Sequence, residues 1–153
     1  MVAEVEQIPD NDSLSRHIDF PHKYRPDEDL IWWPAVFEFP DGKGESLVWR
    51  KYKPTIEEVH ALGCEREAKK KESKPDWLYK GAITTKAGSI RSIKNSRGHG
   101  FRVAHEPTEG IYHAEIARSN DPAMTFNKND KNELREMLKD VFGPMAPHSC
   151  SGA

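Results

Sequence analysis

Basic and aromatic side chains are interleaved in the middle of the chain, where the residues best suited to chemistry lie. Between Trp77 and His105 the sequence contains no Asp or Glu. Basic groups neutralise phosphates and aromatic rings stack on bases, so this composition is typical of a surface that binds an anionic partner. A solvated loop with scattered charge would have the same composition. The candidate binding residues are Arg50, Lys80, Arg91, Lys94, Arg97, His99 and Arg102.

A glycine-flanked segment inside this basic stretch could bind an anion through its backbone. Residues 95–100 read Asn-Ser-Arg-Gly-His-Gly, and glycines let amide groups approach a negative charge closely. The segment lacks the Lys-Ser/Thr pair of a phosphate-binding P-loop and the glycine spacing of a dinucleotide-binding fold. It therefore indicates anion binding in general, and we expect no cofactor.

Among the seven histidines, His113 is the candidate for proton transfer, because an unperturbed imidazole titrates near neutral pH. His105 lies on the apolar face of a predicted hairpin and is interpreted as a hydrogen-bonded core residue. If the chain cleaves RNA, His113 would act as general acid or base. The phosphate would then be neutralised by Arg50, Arg91 or Arg97. The histidines lack a zinc-binding spacing such as H-E-x-x-H, so the sequence predicts no metal.

Cysteine is sparse, with Cys64 in a predicted helix, Cys150 near the end of the chain and no C-x-x-C pair. The N-terminus is acidic and has no apolar signal-peptide region. No apolar run approaches the roughly 18 residues that a membrane span requires. These features predict a reduced, cytoplasmic protein with no membrane partner, and they leave open whether Cys64 and Cys150 can pair.

The formal net charge of −2 over 153 residues hides an uneven distribution. Residues 1–45 carry a net charge of −7, residues 46–105 carry +8, and residues 106–153 carry −3. Such asymmetry bears on partners and not on the fold. Either the basic middle meets an anionic partner, or the acidic ends fold over it and neutralise it.

The first strong apolar run predicts a hairpin that contains three tryptophans. Ile31–Phe39 and Leu47–Tyr52 are rich in aromatic and β-branched residues, and a Gly-rich turn separates them. Adjacent Trp32 and Trp33 must point to opposite faces of a strand, so one of them should meet solvent or a partner. We therefore expect that Trp32, Trp33 and Trp49 could mediate a homo-oligomer.

A second hairpin is predicted at residues 101–118, around a four-residue loop at 107–110. This loop length would set Ala104 opposite His113 and Arg102 opposite Glu115. One face of the hairpin would then be apolar and the other polar.

Two helices are predicted from caps and periodicity. Thr55 and Glu58 fit a capping box at the start of a helix that ends before Pro75. The second helix ends at Gly143, with Asn127 or Asn129 as its N-cap. Its apolar stripe consists of Leu134, Met137, Leu138, Val141 and Phe142.

Together these elements predict an α+β fold with a mostly antiparallel sheet of about five strands and two helices packed on one face. The domain should occupy residues 14–143. Residues 1–13 are expected to be a disordered acidic segment, and residues 144–153 a loose tail. Hydrophobic residues make up 36% of the chain, which suits one modest core and not two.

Four short motifs occur in order along the chain: Leu14-Ser15-Arg16, SLVWR at 46–50, EEVHALG at 57–63 and HAEI at 113–116. Over about residues 14–142 the chain resembles a set of short uncharacterised bacterial open reading frames. Those carry an L-S-R start, an S-V-x-R strand, an E-E-x-W-x-L-G helix and a late H-A-x-I strand. The set has no assigned activity. The resemblance implies a bacterial cytosolic origin and draws attention to Arg16, Arg50 and His113.

The favoured hypothesis is a non-catalytic binding module whose basic, aromatic-bearing surface engages an acidic protein or a nucleic acid. The alternative is a small metal-independent RNA-cleaving enzyme of the toxin type that uses His113 with Arg50 or Arg97. A third hypothesis is a structural subunit that assembles through the tryptophan hairpin.

Overall fold

The computed structural model describes residues 4–25, 30–31, 33–38, 44–118 and 127–150. It confirms the α+β class: six strands form one antiparallel sheet in the order β6-β7-β4-β1-β5-β8, and β2 and β3 form a separate pair. The strands are β1 (Ser13–Phe20), β2 (Tyr24–Arg25), β3 (Leu30–Ile31), β4 (Glu45–Trp49), β5 (Leu78–Lys86), β6 (Phe101–His105), β7 (His113–Arg118) and β8 (Ala146–Pro147). The helices are α1 (Trp33–Val36), α2 (Ile56–Lys71), α3 (Ala87–Arg91) and α4 (Lys128–Val141).

Strand β1 lies in the middle of the sheet, and its alternating residues serve its two faces. Leu14 and Ile18 are fully buried in the larger hydrophobic core. Ser15, His17 and Asp19 point to the opposite face, toward α2. This strand was not among the elements that the sequence predicted.

The two longer helices lie on opposite faces of the sheet, whereas the sequence placed both on one face. Leu134 and Leu138 of α4 belong to the core that contains the apolar side of β1. Val59 of α2 packs instead with Val48 and Ala82 in a smaller cluster. The sheet is therefore covered on both sides, and only one of its faces is strongly apolar.

Both predicted helices are confirmed, with Thr55 and Asn127 as their N-caps, but the Glu58 carboxylate accepts from the Thr55 hydroxyl and does not complete the predicted capping box. The Asn127 side chain accepts a hydrogen bond from the Asp130 amide at 2.8 Å. The Asp130 carboxylate accepts one from the Asn127 amide at 3.0 Å, which completes a capping box. Thr55 accepts from the Glu58 amide at 3.2 Å at the start of α2. Helix α2 carries its acidic residues in the first turn and its basic residues in the last, which complements the helix dipole.

The second hairpin forms with a register that differs from the prediction by two residues. Ala104 pairs with Glu115, not with His113, because the connection between the strands is longer than four residues. A shift of two preserves the side-chain alternation. Val103 and His105 therefore still face the core, as predicted.

The predicted tryptophan hairpin is wrong. Ile31 pairs with Tyr24 in the small two-stranded sheet, and Trp33 begins a short helix; Pro34, which has no N–H for a ladder, lies within that helix. Strand β4 pairs with β1 and β7 instead. Trp49 is buried and donates its indole N–H to Asp12 at 2.8 Å. Trp32 lies outside the described residues, so the homo-oligomer expected through Trp32, Trp33 and Trp49 stays a prediction.

Both ends of the described chain contact the domain, in contrast to the disordered segment and loose tail that were expected. Ile8 is buried in the core. At the other end β8 pairs with β5, and Cys150 forms a disulfide with Cys64 across a Cα–Cα distance of 5.4 Å. This disulfide corrects the expectation of reduced cysteines. Within the described residues, no helix combines the length and apolarity of a membrane span.

Candidate anion-binding site

The central sheet splits beside β1, and the split defines the candidate site. Strands β1 and β5 pair along the whole of β1, but β1 and β4 pair only at Leu14–Trp49 and Ser15–Val48 within the described residues. Beyond Ser15 the two strands diverge. The gap exposes polar side chains from both strands on the face covered by α2.

The guanidinium of Arg16 fills the gap and replaces the missing backbone ladder. It donates to the Ser46 carbonyl at 2.7 Å, to the Val36 carbonyl at 2.8 Å and 3.2 Å, and to the Glu45 carboxylate at 2.8 Å. Burial lowers the pKa of Arg16 from its ordinary value, and the Glu45 carboxylate opposes that change. Arg16 is therefore a fixed cation at the base of the site.

A cleft of about 550 Å³ opens above this gap, between β1, β4, α2 and the loop that precedes β7. Its lining carries five basic side chains against two acidic ones, but Glu45 and Asp19 beneath it pair with three of the five, so Lys69 and Lys70 are the cations left to attract an anion. The basic residues are Arg16, Lys23, Arg66, Lys69 and Lys70, and the acidic residues are Glu65 and Glu109.

Helix α2 supplies three of these cations from one face. Arg66, Lys69 and Lys70 stand three and four residues apart, so their side chains project together. Lys70 lies over the Trp77 ring, with 5.3 Å from its ammonium to the ring centroid. The Lys69 side chain is exposed, which leaves it available to a ligand.

A buried carboxylate lies beneath the cations. Asp19 is fully buried, and neither of its oxygens has a hydrogen-bond donor among the described residues. Its charge is offset by the Arg66 guanidinium at 3.2 Å and by the Lys23 ammonium at 3.8 Å. Burial first, and then repulsion from Arg16, lower the pKa of Lys23 to about 8.

His113 and Ser46 form a hydrogen-bonded pair in the cleft. His113 Nδ1 lies 3.0 Å from the Glu106 carbonyl, which can only accept, so Nδ1 carries the proton. The neutral ring then presents Nε2 as an acceptor for the Ser46 hydroxyl at 2.9 Å. This arrangement orients a base toward a hydroxyl group, which is the geometry that proton transfer requires.

A second histidine of the cleft, His17, links β1 to α2 by a hydrogen bond, and its pKa lies below neutral pH. His17 Nε2 lies 3.0 Å from the Val59 carbonyl of α2 and donates to it. Burial lowers the pKa of His17 to about 4. The neutral ring therefore ties β1 to α2 at neutral pH.

All seven predicted binding residues lie in the described part of the chain, and none of them lines this cleft. Lys94 and Arg102 are exposed. Lys80 lies over the Tyr24 ring at 5.1 Å, and Arg50 donates to the Lys53 and Pro54 carbonyls.

The other three predicted binding residues take part in internal contacts. Arg91 donates to the Ile8 carbonyl at 2.6 Å and to Asp10 at 2.8 Å. Arg97 donates to Asp130 at 2.8 Å, and His99 is buried 3.6 Å from the same carboxylate. These side chains fasten loops and the N-terminal segment to the domain.

The glycine-flanked segment at 95–100 binds carboxylates of the protein itself. The Ser96 amide donates to Glu133 at 3.1 Å, and the Asn95 side chain donates to Asp130 at 3.0 Å. The Asn95 side-chain oxygen in turn accepts from the amides of Arg97 and His99. The expected anion site is thus occupied by acidic residues of α4.

Of the residues considered for catalysis in the sequence, His113 lies in the cleft, while Arg50 and Arg97 do not. Sequence reasoning missed Lys23, Ser46 and the basic face of α2, because those segments meet only in the folded chain. The motif resemblance did point to Arg16, which lines the cleft. No family model, curated protein or solved structure matches the chain.

Proposed function

We propose that the cleft binds single-stranded nucleic acid through its phosphates, and that the protein is a binding module. The observation that carries this proposal is a concave site of about 550 Å³ that holds two lysines, Lys69 and Lys70, with no carboxylate partner among the described residues. A flexible strand can lay successive phosphates into such a site. An acidic protein surface is the competing partner, and it would have to insert a segment into the cleft.

An aromatic ring beside the cations supports the choice of nucleic acid. Tyr112 lines the cleft, and the Lys53 ammonium lies 5.3 Å from its ring centroid. Base stacking on an aromatic ring contributes about 1–3 kcal/mol per base and tolerates any sequence. Tyr112 together with Lys69 would therefore contact a base and a phosphate of the same strand.

The proposal is tested by titrating a fluorescent single-stranded RNA oligonucleotide at low salt. The double variant Lys69→Gln/Lys70→Gln should bind at least roughly tenfold more weakly, because two phosphate contacts are lost. The control Lys94→Gln/Arg102→Gln removes two basic residues of the predicted surface and should bind like the parent. Absence of binding by the parent, or weakening only in the control, would overturn the proposal.

A second candidate function is RNA cleavage, and the His113–Ser46 pair favours it. In this hypothesis a substrate 2′-hydroxyl takes the place of the Ser46 hydroxyl and gives its proton to His113 Nε2. The 2′-oxygen then attacks phosphorus to form a 2′,3′-cyclic phosphate, and the 5′-oxygen leaves and takes a proton from water. Arg66 and Lys69 would neutralise the phosphate, the role that the sequence gave to Arg50 and Arg97.

Cleavage is assayed by incubating RNA with the parent protein and with His113→Ala, beside thermal melts of both. Under the cleavage hypothesis the variant should lose roughly 100–10,000-fold in rate while it stays folded. Ser46→Ala should retain cleavage, because the substrate supplies the nucleophile. The binding proposal predicts that neither protein degrades the RNA.

A further inference from the structure

The end of the described chain is docked beside α2, where it brings two cysteines and two histidines together. Strand β8 pairs with Gly81 and Ala82 of β5. The His148 amide then donates to the Lys80 carbonyl at 3.0 Å. These backbone contacts position residues 146–148 without involving the disulfide.

Gly81 makes this docking possible. Its φ of 151° is rarely adopted by residues with a side chain, and a Cβ at this position would collide with the Ala146 carbonyl oxygen. Strand β8 can therefore approach β5 only because residue 81 has no side chain.

The four residues form two pairs, one on α2 and one in the segment that follows β8. His60 and Cys64 are four residues apart on α2 and share a helix face. His148 and Cys150 are two residues apart in the segment that follows β8. The sulfur atoms of Cys64 and Cys150 and one ring nitrogen of His148 all lie within 4.8 Å of one another.

Ring stacking and a hydrogen bond hold His60 and His148 in place, and a small cavity adjoins them. The His60 ring stacks on His148 with 4.3 Å between centroids and an interplanar angle of 10°. Its Nδ1 hydrogen-bonds the Tyr79 hydroxyl at 2.8 Å. A small cavity of about 70 Å³ adjoins the group and is lined by His148 and Cys150.

We propose that the reduced chain binds Zn²⁺ through Cys64, Cys150 and His148, with the fourth position open to water. Two thiolates and an imidazole are a ligand set that zinc prefers, at about 2.3 Å for sulfur and about 2.0–2.1 Å for nitrogen. Tetrahedral coordination at those lengths sets donors roughly 3.5–3.8 Å apart, so the two sulfur atoms must separate beyond bonding distance, while the His148 nitrogen already lies within 4.8 Å of both. Oxygen-preferring cations such as Mg²⁺ and Ca²⁺ do not suit this set.

The disulfide and the zinc site are alternative states of the same cysteines. Two electrons and two protons from a reductant convert the Cys64–Cys150 bond into two thiols. Zinc then displaces the thiol protons and binds the thiolates. The sequence gave no sign of this site, because the two cysteines are 86 residues apart and match no zinc motif.

The test uses the full chain, reduced with a phosphine and titrated with Co²⁺ as a spectroscopic substitute for Zn²⁺. We expect a thiolate-to-cobalt charge-transfer band and the visible bands of a tetrahedral centre. Added Zn²⁺ should abolish them, and native mass spectrometry should show one zinc per chain. The oxidised chain should show no charge-transfer band, because its sulfurs are bonded to each other.

Variants assign the ligands. Cys64→Ser and Cys150→Ser should each remove the charge-transfer intensity of one sulfur, and His148→Ala should weaken binding by at least about tenfold. His22→Ala is the control, because the His22 side chain is half exposed and bonds Glu38 on another part of the surface. Circular dichroism checks that each variant is folded, and Cys150→Ser lies where few contacts can be lost. The proposal is overturned if the reduced parent shows no thiolate band, or if either serine variant keeps the full intensity of the parent band.

Discussion

The two faces of the central sheet are built from the same strands but differ in the polarity of their side chains. On the side of α3 and α4, Leu14 and Ile18 of β1 are fully buried among apolar side chains. On the side of α2, the neighbouring residues Ser15, His17 and Asp19 are polar, and a cationic cleft opens beside them. Alternation along one strand thus separates the groups that stabilise the fold from the groups that can bind a ligand.

The boundary between the faces is Arg16, which occupies an apolar position in the alternation of β1. Its guanidinium satisfies the carbonyls of Val36 and Ser46 where the β1–β4 ladder stops. A polar residue in this position needs all of those partners, because an unpaired buried charge is costly. Arg16 therefore both stabilises the split in the sheet and lines the cleft that the split opens.

The largest effect should come from the apolar face. Leu138 is fully buried, so Leu138→Ala should lower the free energy of unfolding by about 2–5 kcal/mol through lost burial and a cavity. Glu136→Ala, an exposed change on the same helix, should alter it by less than about 0.5 kcal/mol. Urea unfolding measures both. If both variants changed the free energy of unfolding equally, Leu138 would not be a core residue, and the α4 side of the sheet would not be the face that stabilises the fold.

The polar face should make stability depend on pH through His17. Its pKa is about 4 in the folded chain and 6.5 ordinarily, so the unfolded state binds the extra proton. Stability is therefore unaffected above pH 6.5 and falls as the pH drops toward 4, by about 3 kcal/mol at the lower end. The difference between the parent and His17→Gln in urea unfolding across this range isolates the contribution. A constant difference would show that His17 is solvated and does not tie β1 to α2.

Binding to the cleft should also depend on pH, with a smaller effect. The pKa of Lys23 is about 8 without ligand, and a bound phosphate would raise it. Nucleic-acid affinity should therefore fall as the pH rises above 8, by up to about tenfold per pH unit. Lys23→Met should bind more weakly and lose this dependence. A parent affinity that stays flat across that range would place the ligand away from Lys23.

The parts of the fold that the sequence predicted are those encoded locally. The α4 stripe and the Asn127 and Thr55 caps depend on residues within a few positions of each other. Strand β1 was missed because Arg16 interrupts its apolar alternation, and the partners that satisfy Arg16 lie on other segments. The second hairpin was predicted with the wrong register but with the correct buried face, because the error was two residues.

The candidate site was predicted less well, because it is assembled from distant segments. The sequence singled out the contiguous basic stretch, yet Arg91 and Arg97 of that stretch are bonded to Asp10 and Asp130. Charge counted along the chain does not show which cations already have carboxylate partners in space. His113 and, through the motif resemblance, Arg16 are the residues that the sequence singled out and that line the candidate site.

The most direct test of the account is the salt dependence of single-stranded RNA binding by two matched variants. Lys69 in the cleft and Lys94 in the basic stretch are both exposed lysines. The account predicts that Lys69→Gln reduces the slope of log affinity against log salt by about 0.7, the value for one phosphate contact with a single strand, and that Lys94→Gln leaves it unchanged. A reduced slope for Lys94→Gln with no change for Lys69→Gln would contradict the account and move the binding surface to the basic stretch.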